Sequence, residues 1–178
     1  MKASHLLTLA LVLGLGSLKL PATLMTPLPI EELARRADFI LHGSVTGKTC
    51  LRSPEGRIYT RVELQVQEVW KGNLITNTFA IVHGGGTVGN RRTSVSGQVE
   101  YSVGEEVVTF LVINPRGEGV TIGLAQGKFH VWKDQTTGGK FAYNLFHGAT
   151  EKEAARGENQ AARLAIRDLA NKAKGGAR

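Results

Sequence analysis

The stretch from Ile58 to Val69 constrains the fold most. Ile58, Thr60, Val62, Leu64 and Val66 fall on one face, and Arg61, Glu63, Gln65 and Gln67 fall on the other. A period of two is strand geometry, and one apolar face opposite one polar face belongs to an antiparallel sheet with a single side in the core. Glu106 to Ile113 is different, because Val107, Leu111 and Ile113 line one face while Val108, Phe110 and Val112 line the other. Such a strand is buried on both sides and sits centrally. Phe39 to Val45 and Thr78 to Val82 read as further strands, and Val120 to Trp132 reads as a hairpin bent at Gly123 and Gly127. Ser53-Pro54-Glu55-Gly56 and Asn114-Pro115-Arg116-Gly117 are turn signals. The expected fold is mainly β, a small antiparallel barrel or sandwich of five to six strands.

Helices flank these strands. Pro27 to Asp38 has Ile30, Leu33 and Ala34 on one face and Glu31, Glu32, Arg35 and Arg36 elsewhere, which predicts a short amphipathic N-terminal helix. Thr150 and Glu153 have capping-box spacing, and an apolar stripe of Ala161, Leu164, Ala165, Ile166 and Leu169 predicts a helix from about Asn159 to Lys172. Gly175-Gly176 then reads as the start of a frayed tail.

The N-terminus reads as an export leader. Lys2, an apolar run from Leu6 to Leu15, and small or helix-breaking residues around Ser17, Pro21 and Ala22 follow the order of a secretory signal peptide. The apolar run is too short for a stable membrane span. The chain thus divides into a signal peptide at 1–24, a β-barrel domain at 25–150, and a C-terminal helix with its tail at 151–178. The expected location is periplasmic or secreted. There a single cysteine, Cys50, forms no internal disulfide, so the core alone holds the fold.

The formal charge is +7, and the two lysines of the leader account for part of it. A basic exported protein meets anionic cell-surface polymers or secreted proteins. Export, and the lack of an aromatic and basic stripe, argue against nucleic acid.

No catalytic motif and no cofactor motif emerges. Gly84-x-Gly86-x-x-Gly89 follows a strand but opens no helix, so it is not a dinucleotide fingerprint. His83-Gly84-Gly85-Gly86 looks like an esterase oxyanion loop, yet the chain has no G-x-S-x-G elbow. What remains is a candidate binding loop of His83, Gly84, Gly85, Gly86, Arg91 and Arg92, able to hold an anion through backbone donors and charge. Alternation places His42 and His130, the latter together with Lys128, outward and His83 inward, so no three-histidine metal site is expected. Glu105-Glu106 reads as a solvated turn, and Trp70 and Trp132 as core or rim packing. The expected function is a noncatalytic binding or protein-interaction module. The alternative is an extracellular hydrolase with a dispersed site around His83 and the Gly-rich loop.

Ala37-Asp38-Phe39-Ile40 with Gly43-x-Val45, Val69-Trp70-Lys71-Gly72, Gly84-Gly85-Gly86, Gly104-Glu105-Glu106-Val107-Val108 and Gln126-Gly127-Lys128-Phe129 together resemble a group of uncharacterised exported bacterial proteins. The similarity covers about residues 30 to 132. More remotely, the helix, the opening strand and the terminal helix are similar to the netrin-like, OB-type fold of tissue metalloprotease inhibitors. That resemblance implies a five-stranded OB-like barrel. It implies no inhibition, because this chain lacks the inhibitors' N-terminal metal-chelating cysteine and their disulfides.

Overall fold

The structure, a computed structural model, describes residues 26–157 and 162–176. The leader assigned to 1–24 lies outside the described residues. Among the described residues the architecture is mainly β with three helices. The strands are β1 (Phe39–Arg52), β2 (Ile58–Lys71), β3 (Thr78–Gly84), β4 (Gly86–Val88), β5 (Arg91–Thr93), β6 (Glu106–Ile113), β7 (Gly119–Thr121), β8 (Lys128–Lys133), β9 (Lys140–Tyr143) and β10 (Leu164–Ala165). The helices are α1 (Ile30–Arg36), α2 (Glu151–Ala155) and α3 (Ile166–Gly176). Eight strands form one sheet in the order β1-β2-β3-β7-β6-β8-β9-β10, with a further pairing of β1 to β6, while β4 and β5 form a separate hairpin. Taken from β1 to β10 this sheet is not a closed barrel, because β8, β9 and β10 continue it beyond β6.

The central position of β6 follows from its two apolar faces. Val108 and Phe110 enter a core with Leu33 and Ala34 of α1, Trp70, Phe129, and Leu169 and Ala173 of α3. Val107 and Leu111 enter a second core with Leu41, Val45, Val62, Leu64, Ile81 and Tyr101. Strand β6 therefore separates the two cores. The apolar face of β2 supplies Val62 and Leu64 to the second, as alternation predicts.

Three expectations change. The segment Val120 to Trp132 is not a hairpin, since β7 and β8 both pair with the same edge of β6, at Ile113–Leu111 and at Thr109–Glu106. They form one strand path interrupted at Phe110, where Ile122 N–H bonds the Phe110 carbonyl and Phe110 N–H bonds the Gly127 carbonyl. The excursion between them turns at Gly123 and Leu124, both at positive φ. The C-terminal helix starts at Ile166, not near Asn159, because Leu164 and Ala165 pair with Ala142 and Phe141 as β10; Asn159 and Ala161 lie outside the described residues. Gly175 and Gly176 belong to α3 rather than to a tail, and Gly176 is pressed against the Glu31 backbone, where a Cβ would lie 2.7 Å from the Glu31 carbonyl oxygen. The Thr150/Glu153 capping box is present and starts α2. No helix among the described residues is long and apolar enough to cross a membrane.

Candidate functional site

The Gly-rich segment is a built hairpin, and it borders two cavities. Strand β3 ends at Gly84, and the chain turns through Gly85 at φ 79° and Gly86 at φ 135°. Gly85 N–H bonds the Ile58 carbonyl at 3.1 Å, and the Thr60 hydroxyl donates to the Gly85 carbonyl at 2.8 Å. A side chain at 86 has no room, because its Cβ would meet Thr60 Oγ1 at 2.7 Å and Cys50 Sγ at 2.8 Å. Glycine here combines a left-handed backbone with close approach. The hairpin then pairs Gly86 with Thr93 and Val88 with Arg91.

On its outer side the hairpin joins the β1–β2 turn and the β6–β7 turn around a cleft of about 820 Å³. Arg52, Arg57, Arg91, Arg92 and Arg116 line it, with Tyr59 on its wall, and Glu55 is the acid of that lining. The β1–β2 turn is set by Ser53 N–H to the Arg57 carbonyl at 2.8 Å and by Gly56 at φ 82°. In the β6–β7 turn Asn114 Oδ1 accepts from the N–H groups of Arg116 at 2.8 Å and Glu118 at 3.0 Å, a side-chain turn of the kind asparagine favours. The Arg116 guanidinium lies 5.5 Å from the Tyr59 ring centroid and its Nε donates to Glu118 at 3.0 Å. Arg91 and Arg92 stand exposed on β5. Hydrogen bonds from the Ser53 hydroxyl and from its own backbone, with Arg57 and Arg116 nearby, hold the Glu55 carboxyl below its usual range.

Beneath the hairpin lies a smaller cavity of about 240 Å³, bordered by Lys48, Cys50, Thr60, His83, Arg92 and Glu100 among others. Cys50, Thr60 and His83 form a row across three strands, since Cys50 pairs with Thr60 and Thr60 with His83. Cys50 Sγ is 3.5 Å from Thr60 Oγ1. That contact, the Thr87 backbone and the charge of Lys48 lower the thiol pKa. His83 is 9% exposed and stacks on Tyr101. Its Nδ1 is 2.9 Å from the Gly84 carbonyl, which only accepts, so Nδ1 carries the proton. Burial pushes the imidazole pKa down, so the ring is neutral and Nε2 is a bare acceptor. That Nε2 is buried with no hydrogen-bond partner among the described residues.

The candidate loop residues are thus brought together. His83, Gly84, Gly85, Gly86 and Arg92 border the inner cavity, while Gly84, Gly85, Arg91 and Arg92 border the cleft. Sequence reasoning missed Arg52, Arg57, Tyr59 and Arg116. They lie at turns far apart in the chain, and only the turn signals at Ser53–Gly56 and Asn114–Gly117 marked their neighbourhood.

Other expected placements are corrected. His42 is not outward but buried, with Nε2 2.6 Å from Glu106 and Nδ1 3.3 Å from Glu68. Glu105-Glu106 is not a solvated turn. Glu105 bonds Lys128 at 2.6 Å, the Ser102 N–H at 2.8 Å and His130 at 3.2 Å, and Glu106 also accepts from Lys140 at 2.7 Å. Burial raises both carboxyl pKa values, yet these partners outweigh it and the net shift is downward. Lys128 is not outward either, at 3% exposed, with its ammonium bonded to the Glu100 carbonyl and 4.6 Å from the Tyr101 ring centroid. The face of β8 read as solvent-facing is covered by the segment that carries Glu100 and Glu105, and alternation on β8 alone does not reveal that cover. Among the described residues no group of three or more His, Cys, Asp or Glu is arranged to hold a metal ion.

No protein-family model matches this sequence, and a comparison with curated proteins finds no match.

Proposed function

We propose that this chain is an exported, noncatalytic binding module with an OB-type core that takes an anionic polymer in the arginine cleft. The observation that carries this reading is the lining itself, five arginines facing a single lining acid, Glu55. Among the described residues Arg52, Arg91 and Arg92 have no carboxylate partner, so their guanidinium groups are available to a ligand. Arginine's planar fork suits carboxylate, sulfate and phosphate groups.

The OB-type reading is supported by a circuit of pairings, β1 to β2, β2 to β3, β3 to β7, β7 to β6 and β6 back to β1. In this circuit β3 and β7 run parallel and the other pairs run antiparallel. In OB-type folds the loops joining the first to the second strand and the fourth to the fifth border the ligand face. Counted around the circuit, these are the Ser53–Arg57 and Asn114–Glu118 turns, the two that border the cleft. The noncatalytic part rests on the sequence around His83, which carries an oxyanion-like glycine run but no G-x-S-x-G nucleophile elbow to go with it.

Equilibrium binding to an acidic polysaccharide tests this at low and high salt. The wild-type chain should bind, with affinity falling as salt screens the charges. Combined Arg91→Ala and Arg92→Ala should weaken binding by about 10- to 100-fold, as expected for loss of charge-assisted hydrogen bonds. Equal binding by the variant, or salt-insensitive capture of a secreted protein that this variant leaves intact, would overturn the reading.

A further inference from the structure

We infer that the groove bordered by β8 and β9 is a second binding site that takes a primary ammonium group, with the Glu100 carboxylate as its counter-ion and His130 Nε2 as an acceptor. This site goes beyond the cleft reading and does not depend on it.

The groove has a volume of about 710 Å³, in the range of small-ligand sites, and shares no lining residue with the arginine cleft. Residues from segments 97–102 and 144–153 border it, together with Lys128 and His130 of β8 and Tyr143 of β9. His130 and Tyr143 are cross-strand partners, and their rings stack with centroids 5.1 Å apart. The imidazole is fixed by a held carboxylate. Glu105 lies 3.2 Å from Nδ1, and Glu105 is itself bonded by Lys128 at 2.6 Å and by the Ser102 N–H at 2.8 Å. Burial opposes them, but His130, Lys128 and Ser102 keep the Glu105 carboxyl below its usual range, so an anion that only accepts stands at Nδ1 and the proton sits there. The neutral ring then presents Nε2 as an acceptor. That Nε2 has no hydrogen-bond partner among the described residues and, unlike His83 Nε2, is not buried; the side chain is 42% exposed.

The charges bordering the groove select a cation. Glu100 and Glu153 stand against one ammonium, Lys128, which is 3% exposed and already bonded to Glu105 and to the Glu100 backbone carbonyl. Glu153 Oε2 accepts from Thr150 in the α2 cap, whereas the Glu100 side chain is exposed and has no hydrogen bond or ion pair among the described residues. Burial and the charges of Glu105 and Glu151 hold the Tyr143 phenol above its usual range, so its hydroxyl stays un-ionised. An ammonium has three donors and no acceptor, and Glu100, His130 Nε2 and the Tyr143 hydroxyl all accept. An anion would meet the same carboxylates with no unpaired cation bordering the groove.

The test titrates the full chain with diaminopentane, with pentanediol, with a lysine peptide blocked at both termini, and with the same peptide carrying norleucine for lysine. Each amine should bind about 10-fold tighter or more than its uncharged counterpart, the size of a charge-assisted contact. In the wild-type chain the ¹⁵N resonance of His130 Nε2 should move with the amines alone. Glu100→Gln removes the charge and keeps the backbone carbonyl that holds Lys128, and it should weaken amine binding by about 10-fold. Combined Arg91→Ala and Arg92→Ala should leave amine binding unchanged, which separates this site from the cleft. A peptide that binds more tightly than the diamine identifies the ligand as a lysine of a partner protein, and equal binding identifies a free amine as sufficient. Uncharged probes that bind as well as the amines, a Glu100→Gln chain that binds amines as tightly as wild type, or an Nε2 resonance that stays still would overturn the site and leave the cleft standing.

Discussion

Replacing Glu105 with alanine is expected to lower the free energy of unfolding by about 3–5 kcal/mol, the usual cost of leaving one member of a buried ion pair behind. The charge left behind is Lys128, 3% exposed. Its ammonium would keep the Glu100 carbonyl and the Tyr101 ring face, but neither carries a compensating negative charge. The reverse substitution, Lys128→Met, should cost less, because Glu105 is nearer the surface and retains His130 and the Ser102 N–H. Urea denaturation of the two variants at neutral pH checks the order.

The same cluster sets a pH dependence. The folded pKa of Glu105 lies below its ordinary 4.5, so its contribution is complete above that value and is lost as pH falls through the folded value. Glu106 acts in the same direction. Lys128 is depressed from 10.5 by burial, although Glu105 opposes the shift, so the unfolded chain holds that proton more tightly. Stability therefore rises as pH climbs through the folded Lys128 value towards 10.5.

Gly43→Ala should destabilise the chain by about 3 kcal/mol or more. A Cβ at position 43 would lie 2.2 Å from the Gln65 carbonyl oxygen and 3.1 Å from Val66 Cα, all backbone of β2. Strand β1 is paired on both edges at this point, with Val66 on one side and Val107 on the other, so it has nowhere to shift. The register slips between His42 and Gly43, and the bend there is part of how β1 reaches both β2 and β6. Gly47→Ala is the control. Its nearest neighbour would be the Glu63 carboxylate at 3.1 Å, the far end of a flexible side chain, so the change should stay within about 0.5 kcal/mol.

The parts of the fold readable from sequence are those governed by local alternation. Strand β2 and the twofold burial of β6 follow from residues adjacent in the chain, as does the buried stripe Ile30, Leu33 and Ala34 of α1. The β7–β8 path was not readable, because its continuity depends on Phe110 of another strand bridging Ile122 and Gly127. Leu164 and Ala165 have a spacing that suits a helix equally well, and only their pairing with β9 makes them a strand. The burial of His42 and Lys128 comes from carboxylates on other segments, and alternation carries no information about such partners. For the candidate site, glycines and neighbouring arginines in one segment were visible. Arg52, Arg57 and Arg116 join them only through the closing of turns distant in sequence.

Ligand binding in the arginine cleft is the proposal on which the functional reading of this chain depends. Titrating the isotopically labelled protein with an acidic oligosaccharide and mapping the backbone and guanidinium resonances tests it most directly. Binding in the cleft shifts the resonances of its lining, residues 52–53, 55–59, 84–85, 90–93 and 116, more than those elsewhere. Shifts confined to the exposed cations of α3, Arg167, Lys172 and Lys174, or no shifts at low salt, would contradict it.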